Sequence, residues 1–296
     1  MPPLPIPETA FVALDLEATG VAFGHDRIVE IGAVRFTVDR DGHVVPSERF
    51  HTLVNPGIPL PVIVSRLTGL DDAALADAPP LERVWDDLVA FTTDTVVVAH
   101  QVRADLSWLA AEALRLQRTP LENDFYCTLH LARRAIPGAP RYSLPALIEH
   151  LGLKPGTHHR AMADALHTRN LFAHCVGRVR AREFRDFGAI EPERWPGADA
   201  FAVHVPLHLQ GLDAAIAGHE PVAIRYRGGS HGHVWRPVTP LGFFASAGIP
   251  YLRAWCHLSD EGRSFRCDRI SAWRQGEEGS EAAALIHRRS FAKKDV

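Results

Sequence analysis

Hydrophobic positions along the first 180 residues switch repeatedly between the two-residue period of strands and the 3.6-residue period of helices. Phe11–Leu14 is an apolar run that passes into Asp15-Leu16-Glu17, a predicted strand. Asp26–Phe36 mixes β-branched and alternating residues and reads as a second strand; Asp41-Gly42 is a turn signal and Phe50–Val54 begins or continues a third strand, giving an antiparallel set. Asn55-Pro56-Gly57 breaks the pattern, and Pro61–Leu67 predicts a short helix ending at Thr68-Gly69. After Pro79-Pro80, Leu81, Val84, Trp85, Leu88 and Val89 recur at helical spacing, with proline tolerated in the first turn. Thr95–Ala99 reads as a short buried strand. Leu106, Leu109, Ala110 and Ala113 form the inward face of a helix that carries Asp105 in its opening turn. Tyr126–Arg134 and Ser143–Leu151 predict two more helices joined by Pro137-Gly138-Ala139-Pro140, Ser143 being a good N-cap and Gly152 a good stop. His158-His159-Arg160-Ala161-Met162-Ala163-Asp164 opens a long helix that reaches at least Cys175.

Beyond Gly177 the pattern changes. Residues 178–205 read as a linker, with Arg178, Arg180, Arg182 and Arg185 in a stretch that suits either a phosphate grip or a solvated helix face, and Trp195-Pro196-Gly197 is a break. Leu212–Ile216 predicts a short helix, followed by short strands at Val222–Tyr226, His233–Val238, Gly242–Ala245, Tyr251–His257 and Arg263–Asp268. Short strands with glycine-bearing turns suggest a small barrel over residues 206–275. Residues 276–296, with Arg288, Arg289, Lys293 and Lys294, read as a basic, frayed tail.

A length of 296 residues accommodates two ordinary domains, and 46% hydrophobic with 23% charged residues is the balance of a soluble globular chain. No run of about 18 apolar residues predicts a membrane span. Met1-Pro2-Pro3-Leu4-Pro5-Ile6-Pro7 lacks the features of a signal peptide and reads as a stiff leader. Cys127, Cys175, Cys256 and Cys267 are widely spaced, which argues against a disulfide framework or a zinc site and suits a reducing cytoplasm. The net charge of −3 is uneven: residues 201–296 hold 12 Lys+Arg against 9 Asp+Glu, leaving 20 against 26 before them. A nucleic-acid partner usually leaves a basic footprint, which the first part lacks in bulk, although bound divalent ions would invert its local charge.

Candidate chemistry gathers at three places. In an extended strand, Asp15 and Glu17 point to the same side, where paired carboxylates raise one another's pKa unless a cation lies between them. Such hard oxygen donors suit Mg²⁺ or Mn²⁺, though Asp-x-Glu alone equally describes two solvated strand-end acids. Asp105 is either a ligand or a plain helix-start aspartate favoured by the helix dipole. His159 and Asp164 are five residues apart, about 500° around a helix, so they meet only if His159 precedes the helix on the entering loop. There a lone histidine is equally a polar surface residue.

Taken together, residues 10–176, within a domain set at 8–177, resemble the DEDDh 3′→5′ exonucleases, the family of the proofreading epsilon subunit of bacterial DNA polymerase III, ribonuclease T and oligoribonuclease. Asp15 and Glu17 match the first motif, Asp105 the second, and His159 with Asp164 the third; Glu30-Ile31-Gly32-Ala33, Val54-Asn55-Pro56-Gly57, Leu67-Thr68-Gly69-Leu70, Ser143-Leu144 and Glu149-His150-Leu151-Gly152 match the flanks. The resemblance implies an α/β, ribonuclease H-like exonuclease domain in which the four acids hold two Mg²⁺ or Mn²⁺ ions about 4 Å apart. It implies that His159, with an ordinary pKa of about 6.5, accepts a proton from the attacking water. It also places Ala18, Thr19, Gly20 and His100 at the terminal nucleotide. Gln101 and Ala104 stand where Asn and Phe are usual, which affects how the terminal base stacks. Residues 206–275 resemble a WYL domain, an Sm/SH3-like β-barrel module, through Arg236, Pro240, Tyr251-Leu252 and the run Arg263 to Ile270. That resemblance implies contact with nucleic acid or a nucleotide-like ligand through Arg236, Tyr251, Arg263, Arg266 and Arg269. The alternative is that Tyr251 and Phe265 are core and some arginines pair with Asp268. The expected activity is removal of nucleotides from the 3′ end of single-stranded or frayed nucleic acid, DNA before RNA. The rival expectation is a regulator or sensor whose first domain only grips 3′ ends.

Overall fold

A computed structural model describes residues 9–20, 22, 25–39, 43–153, 159–180, 193, 203–228, 234–246, 248–259 and 261–275. The leader, Asp41-Gly42, His158, Arg182, Arg185, the Trp195 break and the tail lie outside them. The chain divides into two compact units, Met1–Val21 with Asp26–Pro196 and Ala22–His25 with Gly197–Val296.

In the first unit, β1 (Phe11–Ala18), β2 (Ile28–Val38) and β3 (Val44–Leu53) are antiparallel. Strands β4 (Val96–Ala99) and β5 (Phe125–Cys127) add in parallel, giving the order β3-β2-β1-β4-β5. Helices α1 (Val62–Thr68), α2 (Asp72–Ala76), α3 (Leu81–Thr92), α4 (Arg103–Leu116), α5 (Thr128–Ala135), α6 (Leu144–His150) and α7 (Ala161–Arg180) connect or cover it. Alternation along β1 decides what meets what. Phe11 and Ala13 face a core shared with α5, α6 and α7, where the rings of Phe11, Phe36 and Phe172 lie 4.9–5.8 Å apart. Val12 and Leu14 point the other way and are equally buried, so both faces of the sheet are covered. By the same parity Asp15 and Glu17 fall on the α7 side.

One expectation about element type changes, and one helix was not anticipated. Tyr126 belongs to a strand, and its helix starts only at Thr128. Three residues are too few to show a period, and only pairing with Val97–Ala99 makes them a strand. Helix α2, with Asp71 capping the Ala74 N–H, is a single short turn with one buried residue, Leu75, and left no periodic signal.

The second unit holds a 3₁₀ turn (Leu207–Leu209), α8 (Leu212–Gly218), β6 (Val222–Tyr226), β7 (Trp235–Ser246), β8 (Ile249–Cys256), β9 (Glu261–Arg266), a second 3₁₀ turn (Cys267–Arg269) and β10 (Ile270–Gln275). The two strands expected at 233–238 and 242–245 are one, bent by a register shift between Pro240 and Gly242. Proline there removes a ladder donor, so the sequence suggested a break where the strand only bulges. Strand β10 falls on residues for which the sequence suggested none. The sheet order is β10-β6-β7-β8-β9, and among the described residues no pairing joins β9 to β10. Its core comprises Leu209, Leu212, Val222, Ile224, Val238, Leu252, Ala254 and Phe265 with their neighbours.

Candidate active site

Strand β1 pairs with β4 only over Phe11–Ala13. Beyond Ala13 it overhangs the end of β4, and the Leu16 N–H donates to the Asp105 carboxylate instead of a strand. Asp105 is delivered there by the first turn of α4, which begins four residues after β4 ends, and is buried. On the opposite edge, Asp15 pairs with Gly32 and Glu17 with Glu30 across β2. A Cβ on Gly32 would lie 2.3 Å from the backbone of Ala161 and Met162. Glycine is therefore what lets the start of α7 rest on β2, one turn ahead of Asp164.

Glu30 fastens that contact. It is fully buried, and Arg160 donates to both of its oxygens (Nε to Oε2 3.0 Å, Nη2 to Oε1 3.1 Å), with the Ala161 N–H at 3.2 Å and His51 Nε2 2.7 Å from Oε1. Burial alone would raise the Glu30 pKa; the hydrogen bonds from Arg160, His51 and Ala161 outweigh it and hold the carboxylate below its ordinary range.

As a result Asp15, Glu17 and Asp164 each offer a carboxylate oxygen within 4.8 Å of the other two. Asp105 is outside that triplet but joins it through charge. Burial, then repulsion from Asp105, Asp164, Glu17 and Glu30, pushes the Asp15 pKa well up. Burial, with Asp164 and Glu30, lifts Glu17 to about 7 against the pull of Arg160. Asp105 is likewise raised, mainly by burial. Carboxylates packed this way hold their charge only with a cation between them, and an all-oxygen donor set fits Mg²⁺ or Mn²⁺.

His159 precedes α7, as the spacing requires, with φ +60°. Its main-chain N–H donates to Asp164 Oδ2 at 2.9 Å, and the residue is exposed. Of the residues expected at the terminal nucleotide, Ala18 ends β1 at a register shift. Thr19 is buried: its N–H donates to the Arg27 carbonyl, and its hydroxyl donates to Asp26 and accepts from the Arg27 N–H. A Cβ on Gly20 would meet the Asp26 carboxylate at 2.3 Å, a reason for glycine that needs no ligand. Both ring nitrogens of His100 are engaged, by Thr128 Oγ1 at 3.0 Å and the Tyr142 carbonyl at 2.9 Å, and burial lowers its pKa.

Of the five residues expected in the second unit, Arg236 and Arg269 both reach Gly228, Arg236 donating to its carbonyl and Arg269 Nη1 lying 3.8 Å from where a Cβ on it would stand. Pairing register puts Arg236 and Arg263 on the core-facing side with Phe265, and Tyr251 and Arg266 on the other. Arg236 is buried over the Tyr226 ring, 5.3 Å from its centroid, and donates to the Gly228 carbonyl. Arg263 donates to Ser259, Arg266 makes a two-bond pair with Asp268, and Tyr251 stacks on Phe244. Arg269 is exposed.

Glu30, Arg160 and Gly32 were visible in sequence only as flanking residues. The available signal was a lone acid inside the apolar strand Ile28–Val34, which needs a buried partner.

A family model described as an exonuclease matches residues 12–172, and the WYL domain model matches residues 208–275. DNA polymerase III subunit epsilon of Aquifex aeolicus is 35% identical over 162 residues, 55% of this chain and 78% of that protein. DNA polymerase III PolC-type of Caldanaerobacter subterraneus is 36% identical over 165 residues, 56% of this chain but only 11% of that protein. The crystal structure of E. coli exonuclease I in complex with a dA16 oligonucleotide superposes with a TM-score of 0.51 at 17% identity, covering 84% of this chain and 55% of that one, a likeness of fold.

Proposed function

Since the chain belongs to the exonuclease family, we propose that it removes nucleotides from the 3′ end of single-stranded or frayed nucleic acid, DNA in preference to RNA. The observation that carries this is the meeting of three carboxylate oxygens within 4.8 Å at the overhang of β1. Asp15, Glu17 and Asp164 would hold the metal, with Asp105 alongside, two Mg²⁺ or Mn²⁺ ions being the complement proposed. When bound, such ions supply an activated water and neutralise the charge of the scissile phosphate. The remaining work falls to the chain. His159 is exposed with its backbone tied to Asp164, and in this reading its imidazole is the base that takes the proton released by the attacking water. Arg160, locked on Glu30, fixes the residue next to that base. Ala18, Thr19, Gly20 and His100 shape the floor on which the terminal nucleotide rests.

For the second unit we read an Sm/SH3-like barrel. A four-strand meander whose fifth strand returns to pair with the first is one pairing short of closure, and this sheet has that order. Its role is to hold nucleic acid or a regulatory, nucleotide-like ligand. Domain limits of 8–177 and 206–275 accompany this reading.

The test is Asp15→Ala and Asp164→Ala assayed on end-labelled DNA and RNA oligomers with Mn²⁺ or EDTA. Parent activity that needs Mn²⁺ and disappears in both variants supports the reading. Unchanged degradation by either variant refutes it.

A further inference from the structure

The first unit holds a cavity of about 290 Å³ whose lining includes none of the acids of the cluster and none of the residues expected at the terminal nucleotide. It lies between Arg27 just ahead of β2, the loop after β3, the start of α3 and the last two turns of α4. Its apolar walls include Pro56 and the buried Leu81, and its polar residues include Arg27, Glu82, Glu112 and Arg115. Glu112 is 1% exposed, yet only one of its carboxylate oxygens is served. Arg115 Nε donates to Oε2 at 2.6 Å, while Oε1 has no hydrogen-bond partner among the described residues. Burial raises the Glu112 pKa despite the hydrogen bond and charge of Arg115, in line with a carboxylate still short of a donor. Arg115 is held from its other side by Glu82, Nη1 to Oε1 3.0 Å, which leaves N–H groups of the guanidinium over. The two acids and two arginines balance, so the lining asks for hydrogen bonds rather than for net charge.

A buried polar atom without a partner is costly to leave so, and marks a place where a ligand or water completes the set. We propose that this cavity binds cytosine, as a free nucleotide, with the exocyclic amino group donating to Glu112 Oε1. The acceptor oxygen stands beside guanidinium donors, and cytosine presents an amino donor beside a ring-nitrogen acceptor, the complementary order. A flat ring suits apolar walls, and a cavity at the small end of the ligand range suits one ring rather than a fused pair. The proposal rests on the exonuclease reading for the source of the nucleotide. Glu112 follows Asp105 by two turns on one face of α4, about 10 Å along its axis, so release and capture would be close together. Binding itself does not depend on cleavage.

The experiment is isothermal titration calorimetry of the full chain in EDTA with dCMP and with dUMP, which carries a carbonyl where dCMP carries the amino group. The parent should prefer dCMP by about 5- to 140-fold. Glu112→Gln keeps an oxygen for Arg115 and offers the base an amide donor in place of the acceptor, so the preference should be lost or turned toward dUMP. Glu82→Gln, which alters the exposed end of the same charge network, should keep the parent's preference. These results together support the site. No binding of dCMP by the parent, equal binding of the two nucleotides, or a preference that Glu112→Gln leaves unchanged each overturns it. So does an equal effect of Glu82→Gln and Glu112→Gln, because charge and not the buried oxygen would then be responsible. Far-UV circular dichroism checks the fold of each variant. Should Glu112→Gln not fold, Pro56→Trp fills the cavity from its half-buried loop wall and should abolish dCMP binding, retained binding overturning the site. Cleavage of end-labelled DNA in Mn²⁺, measured separately, reports on the exonuclease reading alone: a parent that binds dCMP here but never cuts refutes that reading and leaves the cavity assigned.

Discussion

At the scale of single residues, Glu17 shows how the site stores its own repulsion. Burial and two neighbouring acids lift its pKa to about 7, so the folded, metal-free chain holds that proton more tightly than the unfolded chain does. A raised carboxylate contributes stability that is complete below its unfolded value and is lost as pH climbs through the folded one. Glu30, shifted downward, acts only at more acidic pH and does not interfere. His100, also shifted downward, works in the opposite sense, adding stability as pH rises toward about 6.5 and nothing beyond. Between pH 6.5 and 8.5 the parent in EDTA should therefore lose thermal stability more steeply than Glu17→Gln, and Mn²⁺ should restore the parent most at pH 8.5. Differential scanning fluorimetry of both proteins checks this; parallel curves would mean that Glu17 is not strained by its neighbours. His159 is exposed and its main chain, not a packed ring, ties it to Asp164. Removing the ring in His159→Ala should leave the fold and KM nearly unchanged and lower kcat by about 10²–10⁴-fold, read from single-strand turnover in Mn²⁺. Equal loss in KM and stability would make the residue structural.

At the scale of elements, the site is a consequence of where β1 stops pairing and where α7 starts. The apolar run ending in Asp15-Leu16-Glu17 disclosed both the strand and the common side of its acids, because a period of two requires it. The requirement that His159 lie outside the helix followed from 3.6 residues per turn, and α7 does begin at Ala161. What local pattern did not disclose is the seat of α7 on β2. Gly32 and Glu30 act through residues 130 positions away, and no window of sequence reports such a contact. The same limit hid the two-sided split of Arg236 and Arg263 from Tyr251 and Arg266, which depends on a register that only the assembled sheet sets. Gly32→Ala tests the seat directly. Its new methyl has backbone, not a flexible side chain, in its way, so α7 must shift; a loss of about 1–3 kcal/mol in urea unfolding is expected, as for other overpacked sites. Turnover should fall further than Mn²⁺-saturated stability explains, since Asp164 moves with the helix. A variant as stable and active as the parent would show that α7 has freedom to tilt.

At the scale of the whole chain, each unit has a core of its own, one around Phe11, Phe36 and Phe172 and one around Ile224, Leu252 and Phe265. This organisation was legible as a change in strand length and turn chemistry after Gly177. Helix α7 runs on to Arg180, three residues past the proposed limit of 177. Separate cores have a thermodynamic consequence, because a cation that binds only one folded unit stabilises only that unit. Calorimetry should resolve two transitions, and Mn²⁺ at about a hundred times its Kd should stabilise one of them by about 2.7 kcal/mol. Phe265→Ala, which empties a site beside Tyr226 and Leu252, should lower the other transition and leave the Mn²⁺-sensitive one in place. If Mn²⁺ raised both transitions equally, or if Phe265→Ala cost the cation its effect, the acid cluster and the arginine-bearing sheet would be one cooperative body. A change at either place would then be felt at the other.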